Sequence, residues 1–175
     1  MIGFRLADLP DTEQIAALHT RSWRENYRGN LPDAFLDGDL LEERRCVWRT
    51  RLESPSVNQF ALVAVDGPSL LGFVCAYGDH DPRWGSLIDN LHVAHASKRG
   101  GIGSSLMRQA GSWLASRYTD LEAYLWVWEP NSSARRFYEH LGAQDAGASL
   151  IETHGGGTSR CCRYVWPRPE LLSAV

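Results

Sequence analysis

The sequence predicts one mixed α/β domain, and three observations carry that reading. Apolar residues switch between near-alternation and helical spacing in the order strand, helix, helix, three strands, helix, strand, helix, two strands. No internal repeat, low-complexity tract or linker breaks that order, so residues 1–175 read as a single unit. At its centre a strand-like run, residues 87–93, passes through a loop with three glycines into a helix. There Ile102, Leu106, Ala110, Trp113 and Leu114 share one face.

Taken in order, residues 4–7 form a short first strand. Asp8, Pro10 and Asp11 turn the chain, and Asp11 or Thr12 caps a helix that points Ile15, Ala16, Leu18 and Trp23 inward and ends near Gly29. Aromatic and charged residues from Trp23 to Arg28 then precede a bend at Pro32. A second helix covers about residues 39–52 on Leu40, Leu41, Val47 and Trp48, with Glu42 to Arg45 as its solvated face. After a break at Pro55, residues 60–65 and 70–77 pair as a hairpin, and a polar loop at 78–82 leads into the central strand. The helix after the glycine loop ends near Tyr118. An aromatic strand at 121–128 is stopped by Pro130. Asn131 caps a short helix through His140, closed by Gly142 at C′. Residues 149–153 and 160–166 make a last hairpin around Gly155, Gly156 and Gly157.

Composition excludes several classes. The chain is 43% hydrophobic and 22% charged, the balance of a globular domain. A formal net charge of −3 without a basic run argues against nucleic acid as a partner. No apolar stretch nears the roughly 18 residues of a membrane span, and the first residues lack a leader pattern, so the expected location is the cytoplasm. Cys46, Cys75, Cys161 and Cys162 show no C-x-x-C spacing, so packing thiols are expected and no metal.

The chemistry lies in the glycine loop. Gly100, Gly101 and Gly103 let backbone N–H groups turn toward a ligand, and the helix start beyond them adds partial positive charge. That combination suits a phosphate or pyrophosphate. The P-loop pattern fails for want of Gly-Lys-Ser/Thr, and the dinucleotide pattern fails because Leu106 stands where a third glycine belongs.

The run Lys98-Arg99-Gly100-Gly101-Ile102-Gly103 resembles the Gln/Arg-x-x-Gly-x-Gly/Ala loop of the GNAT superfamily, the acyl-CoA-dependent N-acetyltransferases. Lys98 departs from the usual Gln or Arg; against Arg it keeps the charge and loses the planar fork. A second stretch, Val127 through Asn131, Ala134, Tyr138 and Glu139 to Gly142, also resembles that family, and the two lie in the family's order roughly 25 to 30 residues apart. The likeness covers residues 60–142 well and the flanks in outline. It implies a GNAT fold, one mixed and largely antiparallel sheet of about six to seven strands with about four helices. It also implies acetyl-CoA as co-substrate.

On this likeness pantetheine lies along Leu91, His92 and Val93, and pyrophosphate meets the amides from Arg99 through Gly100, Gly101, Ile102 and Gly103 to Ser104, with Asn131 and Ala134 nearby. Lys98 and Arg99 touch phosphates on one reading and are solvated on another; Asn131 either contacts coenzyme A or only caps its helix. Acyl transfer to an amine needs an uncharged amine, an N–H donor for the oxyanion and a proton for the thiolate. By resemblance the donor is an amide near Leu91 and the acid is Tyr138. The spacing of Ala134, Phe137, Tyr138 and Leu141 equally describes a core-facing helix side. Asp89, read on the same face as Leu91, is the candidate base acting through water; the position where the family often has Glu corresponds to Leu87 here. Glu129, Glu152 and His92 are rivals. Trp23, Tyr27 and the Gly155–Gly157 loop are expected to meet the acceptor. The expected function is acetyl transfer by direct attack of a small primary amine, with a homodimer left open. The alternatives are a peptide or protein (N-terminal or lysine) acetyltransferase and a coenzyme A-binding sensor without catalysis.

Overall fold

The computed structural model describes residues 1–173. Its seven strands are β1 (Gly3–Leu6), β2 (Gln59–Asp66), β3 (Ser69–Asp81), β4 (Gly85–Val93), β5 (Ala123–Trp128), β6 (Gln144–Glu152) and β7 (Thr158–Trp166). They form one sheet in the order β1-β2-β3-β4-β5-β7-β6. Every neighbouring pair is antiparallel except β4 and β5, which run parallel because α4 (Ile102–Arg117) makes the crossover between them. The remaining helices are α1 (Thr12–Asn26), α2 (Asp33–Asp37), α3 (Leu40–Glu53), α5 (Ser132–His140) and α6 (Glu170–Ser173).

The period-2 pattern of the strands divides the core into two layers. Leu62, Ala64, Val74, Ala76 and Ile88 pack against Leu106, Met107, Ala110 and Leu114 of α4. The alternate residues Val63, Phe73 and Cys75 pack on the other face against Ile15 and Ala16 of α1 and Trp48 of α3. A small third cluster, Trp23, Leu31, Leu36 and Leu40, sits around α2.

Seven strands fall within the expected six to seven, while six helices replace the expected four. The additional two are one-turn elements, α2 and α6, too short to show a helical period. Two strands are longer than the sequence suggests. β3 runs on through the polar residues 78–81, and β6 starts at Gln144. Both extensions are polar or exposed, so pairing with β4 and β7 decides them rather than hydrophobic alternation. Asn131 caps α5 as expected, its side-chain oxygen accepting from the Ala134 N–H at 3.1 Å.

Candidate functional site

The parallel pair is where the sheet opens. β4 and β5 share only the register pairs Ser86↔Ala123 and Leu87↔Tyr124, and beyond them the strands part. β4 also carries a bulge. Ile88 pairs with Ala76 and Asn90 with Cys75, leaving Asp89 as the extra residue, and such an insertion bends its strand. A cleft of about 600 Å³ occupies the gap, between residues 88–93 on one side and Leu125, Trp126 and Val127 on the other. It passes through the sheet. Gly101, Ser104 and Tyr138 line it on the α4 and α5 face, and Ser22, Asn26 and Tyr27 line it on the α1 face.

At one end stands the glycine loop. Gly101 is the N-cap of α4 with φ 77°, a left-handed conformation that glycine adopts without strain. No side chain caps α4 and no acidic residue stands in its first turn, so the first amides and the positive end of the helix face the cleft uncompensated. Lys98, Arg99, Gly103 and Ser104 line the same end, with Asn131, Ala134 and Phe137 opposite. Two expected residues stand apart. Gly100 lies outside the lining, and the Ile102 side chain is turned into the core under α4, leaving that residue only its backbone to offer.

Tyr138 meets both descriptions the sequence allowed. It lines the cleft, and its ring packs near Tyr164 and Trp166, with centroids 6.4 and 6.3 Å away. Burial, and to a lesser extent the nearby Tyr27, push its hydroxyl pKa up, so the phenol holds its proton across the ordinary pH range. Burial likewise raises the Tyr27 hydroxyl to about 12.

The bulge corrects the placing of Asp89. An extra residue in a strand reverses the alternation that follows it, so Asp89 does not share a face with Leu91. Leu91 packs toward the α4 core. The Asp89 carboxylate is on the α3 side, 2.8 Å from Arg51, and also accepts from the Asn90 side chain. It does line the cleft. His92 points to the same side, away from where a chain lying along β4 would touch only its backbone. Its Nδ1 lies 2.7 Å from the Ser22 hydroxyl, and its ring centroid is 4.6 Å from that of His19. Burial first, then the charges of Lys98 and Arg44, lower the His92 pKa to about 3, which keeps it neutral. Trp48 donates its indole N–H to Nδ1 of His19 at 2.9 Å, which fixes the neutral ring with its proton on Nε2. That buried Nε2 finds no hydrogen-bond partner among the described residues.

Of the expected acceptor residues, Tyr27 lines the cleft and Trp23 does not. Trp23 is buried, with Arg44 lying 4.5 Å over its ring and His154 against it at 5.2 Å. The Gly155–Gly157 loop approaches through His154, whose ring stacks on Phe35 of α2 at 6.1 Å and 13°. Gly156 and Gly157 themselves border a separate cavity of about 310 Å³ with Gly29 to Asp33. Glu129 is paired with Arg160 at 2.9 Å, and Glu152 lies exposed on the edge strand; neither lines the cleft.

Sequence reasoning missed Ser22 and Asn26. With His19 they stand at i, i+3 and i+7, so a polar stripe on the sheet-facing side of α1 was present to be seen. Asn26 donates to the Ser22 carbonyl at 2.7 Å, and Ser22 holds His92, so the three are tied together at the cleft.

A mixed sheet parted at its one parallel pair, with a glycine-led helix start at one end of the gap, is the architecture that the resemblance to acetyltransferases implied. Comparison with known proteins agrees. The sequence model described as the Acetyltransferase (GNAT) family matches residues 12–143, and the chain belongs to that family. "Probable N-acetyltransferase Rv2775" of Mycobacterium tuberculosis is 30% identical over 141 residues, 79% of this chain and 77% of that protein. Among solved structures, the PaiA N-acetyltransferase of Thermoplasma acidophilum in complex with coenzyme A superposes with a TM-score of 0.70 at 19% identity, covering 95% of this chain and 99% of that one. YncA of Salmonella typhimurium, solved with acetyl-CoA, gives 0.68 at 14% identity over 95% and 93%. The chain is an N-acetyltransferase. No helix among the described residues is long and apolar enough to cross a membrane.

Proposed function

We propose that the chain moves the acetyl group of acetyl-CoA to the primary amine of a small molecule by direct attack. One observation carries this reading: a single cleft runs through the sheet, with an uncapped helix start and cationic loop at one mouth and polar α1 side chains at the other. The residues present fit coenzyme A. The α4 amides with Lys98 and Arg99 suit its diphosphate, and the unpaired side of β4 suits the amides of its pantetheine arm. Bound there, acetyl-CoA supplies an activated acyl group.

The rest falls to this chain's own groups. A β4 amide near Leu91 holds the oxyanion, Tyr138 gives a proton to the departing sulfur, and Asp89 draws the amine's proton through water. Direct attack is supported by the thiols, since Cys75, Cys161 and Cys162 are buried, their pKa values are raised, and none lines the cleft. A small acceptor is favoured over a peptide because the Phe35–His154 stack joins α2 to the β6–β7 loop around Trp23, which packs behind Tyr27 at the cleft. Release of thiol from acetyl-CoA, measured across a panel of small amines and peptides, tests the reading. Turnover confined to peptides would overturn the acceptor class, and binding without turnover on any amine would leave a sensor.

A further inference from the structure

We propose that Tyr27 sets the length of the acyl chain, forming the fixed wall against which the carbons beyond the thioester end. This rests on the acyl-transfer reading above. A thioester with its diphosphate at the α4 start and its sulfur under Tyr138 directs its acyl carbons through the gap, toward the α1 face. Tyr27 lines the cleft on that face, close enough to raise the Tyr138 pKa.

The ring is held in place. It meets Trp128 edge-on at 5.9 Å and 80°, and Trp23 at 5.6 Å. Trp23 cannot yield, being buried beneath Arg44. The backbone is pinned as well. The Tyr27 N–H donates to the Trp23 carbonyl at 2.9 Å, and the Tyr27 carbonyl accepts from the N–H groups of Asn30 and Leu31 at 3.0 and 2.9 Å. A wall packed on two sides and anchored at its root moves only by disturbing the cluster around α2. Ser22 and Asn26, five residues and one residue before it, leave the polar side of the cleft to the amine. Acetyl is then the chain that asks nothing of the ring, and each further methylene must displace it.

The test needs no acceptor. Dissociation constants of coenzyme A, acetyl-CoA, propionyl-CoA and butyryl-CoA are measured by calorimetry on the wild type and on Tyr27→Phe, Tyr27→Leu and Tyr27→Ala. The wild type should bind propionyl-CoA about 10- to 200-fold more weakly than acetyl-CoA, the range that one methylene commands in a tight pocket, and the ratio of butyryl-CoA to acetyl-CoA dissociation constants should be at least as large. Tyr27→Phe should retain that ratio. Tyr27→Leu, which keeps apolar packing in case the alanine form fails to fold, should shrink it at least ~10-fold, and Tyr27→Ala further. Equal affinity of the wild type for acetyl- and butyryl-CoA, or an unchanged ratio in the folded leucine form, would overturn the inference alone. Failure of the wild type to bind coenzyme A itself would overturn the acyl-transfer reading, and this inference with it.

Discussion

Arg51 of α3 holds the carboxylate of Asp89 at 2.8 Å, while lying 5.2 Å over the ring of Trp48 and 5.7 Å over that of Tyr77. Asp89, next after Ile88, faces the α3 side by ordinary alternation, and the bulge then returns Leu91 to the α4 side, so the two no longer share a face. A carboxylate so placed is held in orientation at the edge of the cleft, within reach of an amine through water. Asp89→Asn should lower kcat at least ~10-fold and leave the Kd of acetyl-CoA within about twofold. Steady-state rates beside calorimetry decide this, and an unchanged kcat would remove Asp89 from the reaction.

Tyr138→Phe removes one hydroxyl and keeps a ring that packs near Tyr164 and Trp166. Folding should survive. We expect kcat to fall at least ~10-fold when chemistry limits the rate, with acetyl-CoA affinity little changed. Because burial raises the Tyr138 pKa, the wild-type profile should show no loss of this acid on the alkaline side below about pH 10. Turnover equal to wild type in the phenylalanine form would make Tyr138 a packing residue only.

Gly101 has open space around an added Cβ, so crowding within the protein is not what forbids a side chain there. Its φ of 77° is. A β-branched residue tolerates that conformation least, and asparagine tolerates it better. Affinity for coenzyme A should therefore fall in the order Gly101, Gly101→Asn, Gly101→Val, with the valine form at least ~10-fold weaker than wild type. Calorimetry reads the order directly, and a valine form that binds normally would detach the loop from the ligand.

His19 and His92 should make the protein sensitive to acid. Burial lowers both pKa values in the folded state, that of His92 to about 3, while an unfolded histidine titrates near its ordinary 6.5. Stability from these groups is thus complete above about pH 6.5 and is lost as pH falls below it, for His92 at about 1.4 kcal/mol per pH unit down to about pH 3. Urea unfolding at about pH 7 and about pH 5 should differ by about 2 kcal/mol from His92 alone, with His19 acting in the same direction, and His92→Asn should remove the His92 share. A pH-independent midpoint would contradict the neutral, buried pair.

Trp23→Ala should act through folding rather than through acceptor affinity. The indole is buried among Leu31, Leu36 and Leu40, with Arg44 over its ring and His154 tilted against it. Its loss should cost about 3–5 kcal/mol of stability. Thermal unfolding measures this, and a wild-type melting temperature with a raised acceptor KM would return Trp23 to the site.

Much of the fold was legible because it follows from local rules. The switch from alternating to helical spacing marks β4 and α4, and the Asn131 cap and Gly142 bracket α5. The site's glycine-loop end was legible for the same reason, since loop, helix start and Lys98 are contiguous in the chain. The acceptor end is assembled from far apart, and there the reading faltered. Nothing near Asp89 announces a bulge, which exists because β3 and β4 pair out of step. Nothing near Trp23 announces that Arg44, on another helix, will cover it. The insertion of β7 between β5 and β6 is likewise a fact of pairing that no single stretch carries.

The narrow seam between β4 and β5 has a mechanical consequence. The two plates of the sheet, β1 to β4 and β5 to β7, are stitched through their backbones by two register pairs alone. Behind them α6 acts as a clasp, since it follows β7 in the chain yet buries Leu172 in the core with α4. A ligand filling the seam would work as a rivet, touching both plates at once. Amide exchange in β5 and β7 should then slow when coenzyme A binds, at positions with no contact to it, as the two plates cease to open independently.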